Sequence, residues 1–100
     1  MYIVCVTACP VGIAHMAAAN LEKAVKAAGH EVKVETQGAQ GLENEITSDD
    51  LAKCDAAIIA SDIRIKNHER FDDVPTMTVA VQEAVKDADG IVKELLEALE

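Results

Sequence analysis

One hundred residues carrying nine basic and eighteen acidic side chains, a formal charge of −9, make a single domain (residues 1–100) with a single core, and they argue against nucleic acid and anionic lipid as partners. Only Tyr2 and Phe71 are aromatic although half of the chain is apolar, so the core has to be built from Val, Ile, Leu and Ala. Three cysteines without C-x-x-C spacing argue against a disulfide framework and a redox or zinc motif, which points to a reducing cytoplasm. The apolar start has no Lys or Arg ahead of it and is broken by Thr7, Pro10 and Gly12, so neither a signal peptide nor direct membrane insertion is expected.

In chain order, residues 2–7 read as a first strand, apolar on both faces as a central parallel strand is. Ala14, Ala17, Ala18, Leu21, Ala24, Val25 and Ala28 recur at helical spacing and predict a helix over 13–28, stopped by Gly29. Residues 31–36 alternate polar and apolar, the pattern of a half-exposed strand near a sheet edge, which completes a right-handed βαβ unit. Residues 37–41 are a polar, flexible loop at that strand's carboxyl end, expected to share one face with the turn after the first strand; residues 42–47 read as irregular. Ser48 followed by Asp49 and Asp50 reads as the N-cap and acidic first turn of a short helix to Lys53. Residues 55–60 are a buried third strand, with Ser61 and Asp62 at its carboxyl end. The charged stretch 63–73, with Arg64, Lys66, His68 and Arg70, reads mostly as a solvated loop. A fourth strand over 76–81, a helical turn over 82–87, and a last amphipathic helix capped by Asp89 close the chain.

The chemistry gathers in Cys9-Pro10-Val11-Gly12-Ile13-Ala14-His15, the turn from first strand to first helix. The first amides of a helix lack intrahelical partners and sit at the positive end of its dipole, so a thiolate or phosphate placed there is stabilised without a cationic side chain. Met1 to Leu21 carries no acidic residue to compete with an anion. Gly12 allows close backbone approach and Pro10 fixes φ. Cys5 and Cys54, beside apolar runs, fit the role of small buried residues, whereas Cys9 stands beside Pro, Gly and His. His15 fits a helix surface as well as a site.

A thiolate in such a turn can attack phosphorus, a disulfide or a carbonyl. A second cysteine at x-x spacing is missing for disulfide exchange, and only His15 could serve acyl transfer as a base. Phosphoryl transfer fits best, because it needs chiefly positioning and charge stabilisation. Cysteine-dependent phosphatases place an arginine six residues after the cysteine, and this chain has His15 there. That suits a carrier that passes phosphate on better than a hydrolase. No metal or other cofactor is called for.

Five stretches carry a resemblance: Ala8-Cys9-Pro10-Val11-Gly12-Ile13-Ala14-His15, Val34-Glu35-Thr36-Gln37-Gly38, Gly41-Leu42-Glu43-Asn44-Glu45-Ile46-Thr47, Asp62-Ile63 and Glu69-Arg70-Phe71. In order, over nearly the whole chain, they resemble the fructose-specific enzyme IIB domain of the bacterial sugar phosphotransferase system. The resemblance implies an α/β fold, an open four-stranded parallel sheet in the order 2-1-3-4 with flanking helices in a Rossmann-like three-layer arrangement. It further implies that Cys9 takes a phosphoryl group from a phosphohistidine on a phosphorylated IIA protein. Cys9 then gives it to a fructose-type sugar held by a membrane IIC permease, at the inner face of the membrane. Pro10, Val11, Gly12, Ile13, Ala14 and His15 would surround the phosphate. Two departures stand out: Val11 replaces a threonine of the family pattern, and about two residues that usually follow the histidine are absent before Met16. Two residues turn a helix by about 200°. A non-catalytic regulatory or binding module that keeps the fold is therefore the alternative reading.

Overall fold

The apolar run near the N-terminus becomes the middle of a sheet. In this computed structural model, which describes residues 1–8, 13–38 and 41–99, β1 (Tyr2–Ala8) is followed by α1 (Ala14–Ala27), β2 (Glu31–Gly38), β3 (Gly41–Glu43) and α2 (Ser48–Lys53). Then come β4 (Ala56–Ser61), a 3-10 turn at His68–Phe71, β5 (Thr76–Val79) and α3 (Val81–Leu99). The strands make one five-stranded sheet in the order β3-β2-β1-β4-β5. β1 pairs in parallel with β2 and β4, and β4 pairs in parallel with β5. β3 runs antiparallel to β2.

The sheet is therefore mixed and five-stranded, which corrects the four-stranded, all-parallel sheet in the order 2-1-3-4. The added strand is short: Gly41, Leu42 and Glu43 pair with Gly38, Gln37 and Thr36, the last three residues of β2. Three residues, two of them Gly and Glu, are too few and too poor in β-formers to show a period of two. Gly41 opens β3 at a φ of 105°, a conformation glycine adopts without a steric cost.

Alternation along β1 divides the core. Ile3 and Cys5 point to the face covered by α1 and α3, where Leu21, Val25, Ile91, Val92 and Leu95 meet them. Val4, Val6 and Ala8 point to the other face, against Ile46, Ile65 and Phe71. That second face carries no long helix; α2 and the segments before and after β4 cover it. The stretch 63–73 is mostly exposed, as expected, but Ile65 and Phe71 bury their side chains and Arg70 is half-buried. β2 departs from expectation. Its residues Glu35, Thr36 and Gln37 are buried, and β3 rather than solvent occupies its outer edge.

Element ends follow local chemistry. Gly29, at a φ of 86°, turns the chain away after α1. The cap of α2 is Thr47 rather than Ser48: its hydroxyl accepts from the Asp50 N–H at 3.2 Å, and the Asp50 carboxylate accepts from the Thr47 N–H at 2.9 Å. α3 is two helical segments that meet at a kink at Asp87, whose φ and ψ of −148° and 54° are not helical, in line with the predicted helical turn and last helix. Asp87 Oδ1 accepts from the Gly90 N–H at 3.2 Å, so Asp87, not Asp89, caps the second half. β5 stops two residues short of the predicted end, at Val79, where α3 takes over.

Asp50 also ties α2 to the sheet, accepting from Lys33 Nζ at 2.7 Å and from the Tyr2 hydroxyl at 2.9 Å. The Lys33 ammonium and the Thr47 N–H hold its carboxyl far below the ordinary carboxylate range, while burial and the nearby carboxylate push the Tyr2 phenol up to about 12. A carboxyl with a depressed folded pKa stabilises the fold fully above its unfolded value of about 4, and the contribution fades as pH falls below that. Chemical denaturation should show stability dropping from about pH 4 downward. Asp50→Asn should cost about 1–3 kcal/mol at pH 7 and make the acid limb shallower; an unchanged limb would refute the role of this carboxylate.

Candidate active site at the carboxyl rim of the sheet

Parallel register sets Ala8, the last residue of β1, opposite both Gln37 of β2 and Ser61 of β4. The chain leaves β1 for β2 on one side and later returns to β4 on the other, so this rim is the point where strand order reverses and ligands of open sheets bind. Cys9 follows Ala8 directly in the chain. Cys9, Pro10, Val11 and Gly12 lie outside the described residues, between Ala8 and Ile13.

On the far side of those four residues Ile13 is already in the right-handed helical region and its carbonyl accepts the first helical bond, from the Ala17 N–H at 3.0 Å. The amides of Ala14, His15 and Met16 consequently have no acceptor within α1. The first turn carries no acidic residue. Ile13 is half-buried against the α1 and α3 core, and Ala14 is buried. The Thr7 hydroxyl, fully buried in β1, donates to the Ala14 carbonyl at 3.0 Å. His15 stands out from the helix, its side chain 65% exposed, with Nε2 at 3.2 Å from Glu43 Oε2 of β3. A pair so exposed contributes little to stability.

Behind the rim lies a buried polar network. Glu35, with no exposed surface, accepts from Arg70 Nη1 at 2.8 Å and Nη2 at 2.5 Å, from the Ile46 N–H at 2.8 Å and from Gln37 Nε2 at 2.7 Å. Arg70 Nη1 also donates to the Ile46 carbonyl at 2.9 Å. Burial alone would raise the pKa of Glu35, but the Arg70 guanidinium, the Gln37 amide and the Ile46 N–H outweigh it and hold the carboxyl below its ordinary value. Gln37 passes the order on to the rim: its amide bonds both the N–H of Lys66, at 2.8 Å, and the carbonyl of Lys66, at 3.2 Å.

The remaining rim residues serve the fold or face solvent. Asp62 Oδ1 accepts from the Val81 N–H at 3.3 Å at the start of α3, and Ser61 closes a turn onto Ile63. Arg64 reaches His68 at 2.6 Å. Cys5 is buried, which pushes its thiol up to about 12, and burial raises the Cys54 thiol as well. Among the described residues no group of three His, Cys, Asp or Glu side chains is placed to hold a metal, and no helix is long and apolar enough to cross a membrane.

Of the predicted site, then, Ile13, Ala14 and His15 stand at the helix start beside the end of β1. The contacts of Thr7, Gln37, Glu43 and Arg70 were not foreseen. Gln37, Glu43 and Arg70 fall within the stretches that carry the resemblance, which was the one available signal for them; Thr7 had none.

Comparison with known proteins agrees with this layout. Residues 4–94 match the family model described as PTS system, lactose/cellobiose specific IIB subunit. The fructose-like EIIB component 2 of Escherichia coli K12 is 53% identical over 95 residues, covering 93% of this chain and 90% of that protein. The 2-O-alpha-mannosyl-D-glycerate-specific EIIABC component of the same strain is 47% identical over 94% of this chain, which spans 15% of that longer polypeptide. Among solved structures, an E. coli K12 enzyme IIB subunit superposes with a TM-score of 0.92 at 37% identity, covering 98% of this chain and 93% of that one. A domain of a fructose-specific IIABC component from Borrelia burgdorferi superposes with a TM-score of 0.88 at 37% identity, covering 96% and 93%. By sequence along almost its full length and by fold, this chain belongs to the PTS enzyme IIB family, as a fructose-like EIIB component.

Proposed function

We propose that this chain carries phosphoryl groups on Cys9 during uptake of a fructose-type sugar. EIIB components are phosphotransferases that work between IIA and IIC partners, and the fused EIIABC relative has those partners in one polypeptide. In the proposed first step the Cys9 thiolate attacks phosphorus of a IIA phosphohistidine. An S–P bond forms as the N–P bond breaks, and the imidazole leaves with that bond's electron pair. In the second step a sugar hydroxyl bound by the membrane IIC protein attacks the same phosphorus, loses its proton, and returns the thiolate. The chain would work at the cytoplasmic face of the membrane, through IIC.

The observation that carries the reading is the meeting of β1 and α1. The last residue of the central strand and the acid-free first turn of the helix flank the four residues that include Cys9. Amides of that turn offer donors to a dianionic phosphoryl group and to the charge that grows during transfer. The backbone from Val11 to Ala14 and the His15 ring would line the phosphate, with Pro10 shaping the turn. No arginine stands six residues after Cys9, so nothing in the motif matches the guanidinium fork of cysteine phosphatases. A long-lived phosphocysteine is what a carrier needs.

Intact-mass spectrometry after incubation with a phosphorylated fructose-type IIA protein tests this. The expected result is a gain of about 80 Da, the mass of one phosphoryl group, located on the Cys9 peptide. An unmodified chain beside fully active IIA would overturn it and leave the regulatory or binding module as the reading. Val11 in place of threonine and the shortened start of α1 would then be the places to look for the cause.

A further inference from the structure

The described residues on either side of Cys9 belong to different elements, β1 and α1. Reactivity between such flanks depends on how firmly they are held relative to each other, because displacements of about 1 Å cost up to about 100-fold in transfer. Among the described residues, the Thr7 side chain hydrogen-bonds across the two elements there. Thr7, two residues before Cys9, is fully buried on the α1 side of β1, and its hydroxyl donates to the carbonyl of Ala14, five residues after Cys9, at 3.0 Å.

We infer that Thr7 is a positioning residue for Cys9, a clasp that closes the segment 8–13 and sets the first turn of α1 against the end of β1. The inference rests on the reading of Cys9 as the phosphoryl acceptor, and deepens it.

Three features support a positioning role over mere filling of the core. Ile3 and Cys5, the residues of β1 that share its face, are apolar or nearly so, and an aliphatic side chain would pack there at no polar cost. The Ala14 carbonyl already has a helical partner in the amide four residues on, so Thr7 does not rescue an orphaned acceptor. The bond also falls at the first turn of α1, whose amides lack acceptors within the helix. On the outer side of the same turn the Glu43 carboxylate holds His15 from β3. The first turn is thus tied to strands on both sides, firmly from within and weakly from without.

The test compares Thr7→Val, which keeps the branched shape and removes the hydroxyl, with Thr7→Ser, which keeps the hydroxyl. Two rates are read on each purified chain: phosphoryl transfer from phosphorylated IIA, and alkylation of Cys9 by iodoacetamide at neutral pH, followed on the Cys9 peptide. In Thr7→Val both rates should fall about 10- to 100-fold with the melting temperature within about 5 °C of wild type, and Thr7→Ser should recover most of the loss. Equal rates in wild type and Thr7→Val would overturn the inference, as would a loss that Thr7→Ser does not restore. Should Thr7→Val fail to fold, Thr7→Ala against Thr7→Ser makes the same comparison with less bulk, and equal rates in that pair would overturn it. A wild-type chain that accepts no phosphate while its alkylation still depends on the Thr7 hydroxyl would sink the proposed function and leave the clasp standing.

Discussion

Cys9→Ser incubated with phosphorylated IIA protein should gain no phosphoryl group, a loss of transfer on the order of 1,000-fold or more. A serine hydroxyl at that position remains protonated at neutral pH, whereas the proposed site would favour a thiolate. The substitution changes one atom, so a loss of fold does not explain the outcome, and the thermal transition should match that of wild type. The other two cysteines provide the control. Cys5 lies in the core with its thiol pushed up to about 12, and Cys54, its thiol also raised by burial, donates Sγ–H to the Leu51 carbonyl at 3.3 Å. Cys5→Ala and Cys54→Ala should therefore accept phosphate at close to the wild-type rate. An adduct that survives Cys9→Ser and disappears with either of the other two would move the chemistry away from the rim.

Arg70→Met should be the most destabilising single change in the polar network, costing about 3–5 kcal/mol. At about 4–8 °C per kcal/mol for a domain of this size, that lowers the melting temperature by about 12–40 °C. The cost comes from what is left behind. Glu35 would stay fully buried with its carboxylate facing only the Ile46 N–H and the Gln37 amide, and the Ile46 carbonyl would lose its donor. Arg70→Lys should recover only part of the loss, because an ammonium cannot make the two-pronged contact that Arg70 makes at 2.8 and 2.5 Å. In the Glu35→Met, Arg70→Met double variant the uncompensated charge is gone, so its stability should exceed that of Arg70→Met alone. Recovery would stay incomplete, since the Ile46 N–H and the Gln37 amide lose their acceptor. Additive effects in this cycle, read by denaturant titration, would show that the two side chains do not act as a pair.

The double variant also asks what the ion pair is for. Gln37 hydrogen-bonds Glu35 and holds the backbone of Lys66 at the rim, so the network connects the second face of the sheet to the loop after β4. Buried ion pairs often add less stability than well-packed apolar groups, and fixing a unique arrangement is one reason for a fold to keep them. If that is so here, the double variant should transfer phosphate more slowly than its stability suggests.

The strands and helices whose pattern is long and regular were legible in the sequence. β1 and β4 announce themselves as short apolar runs and α1 by its small and aliphatic residues every three or four positions. The match of five separate stretches to the fructose IIB pattern was legible as well. Periodicity and spacing are local properties, and each of these features lies within one stretch of chain.

Whatever depends on residues far apart in the chain was decided by the tertiary structure. Glu35 reads as the polar position of an edge strand until Arg70, 35 residues on, comes over it and β3 covers the edge. Arg70 in turn reads as a solvated charge within a charged stretch. The fifth strand is three residues held by their pairing with the end of β2, a stabilisation that no propensity of Gly41, Leu42 or Glu43 contains. Thr7 is one more β-branched residue in a strand until α1 folds back and sets the Ala14 carbonyl within reach of its hydroxyl. The sequence by itself marked the end of β1 and the start of α1; only the folded chain decided which side chains join them, because a buried polar group is defined by the partner that packing brings to it.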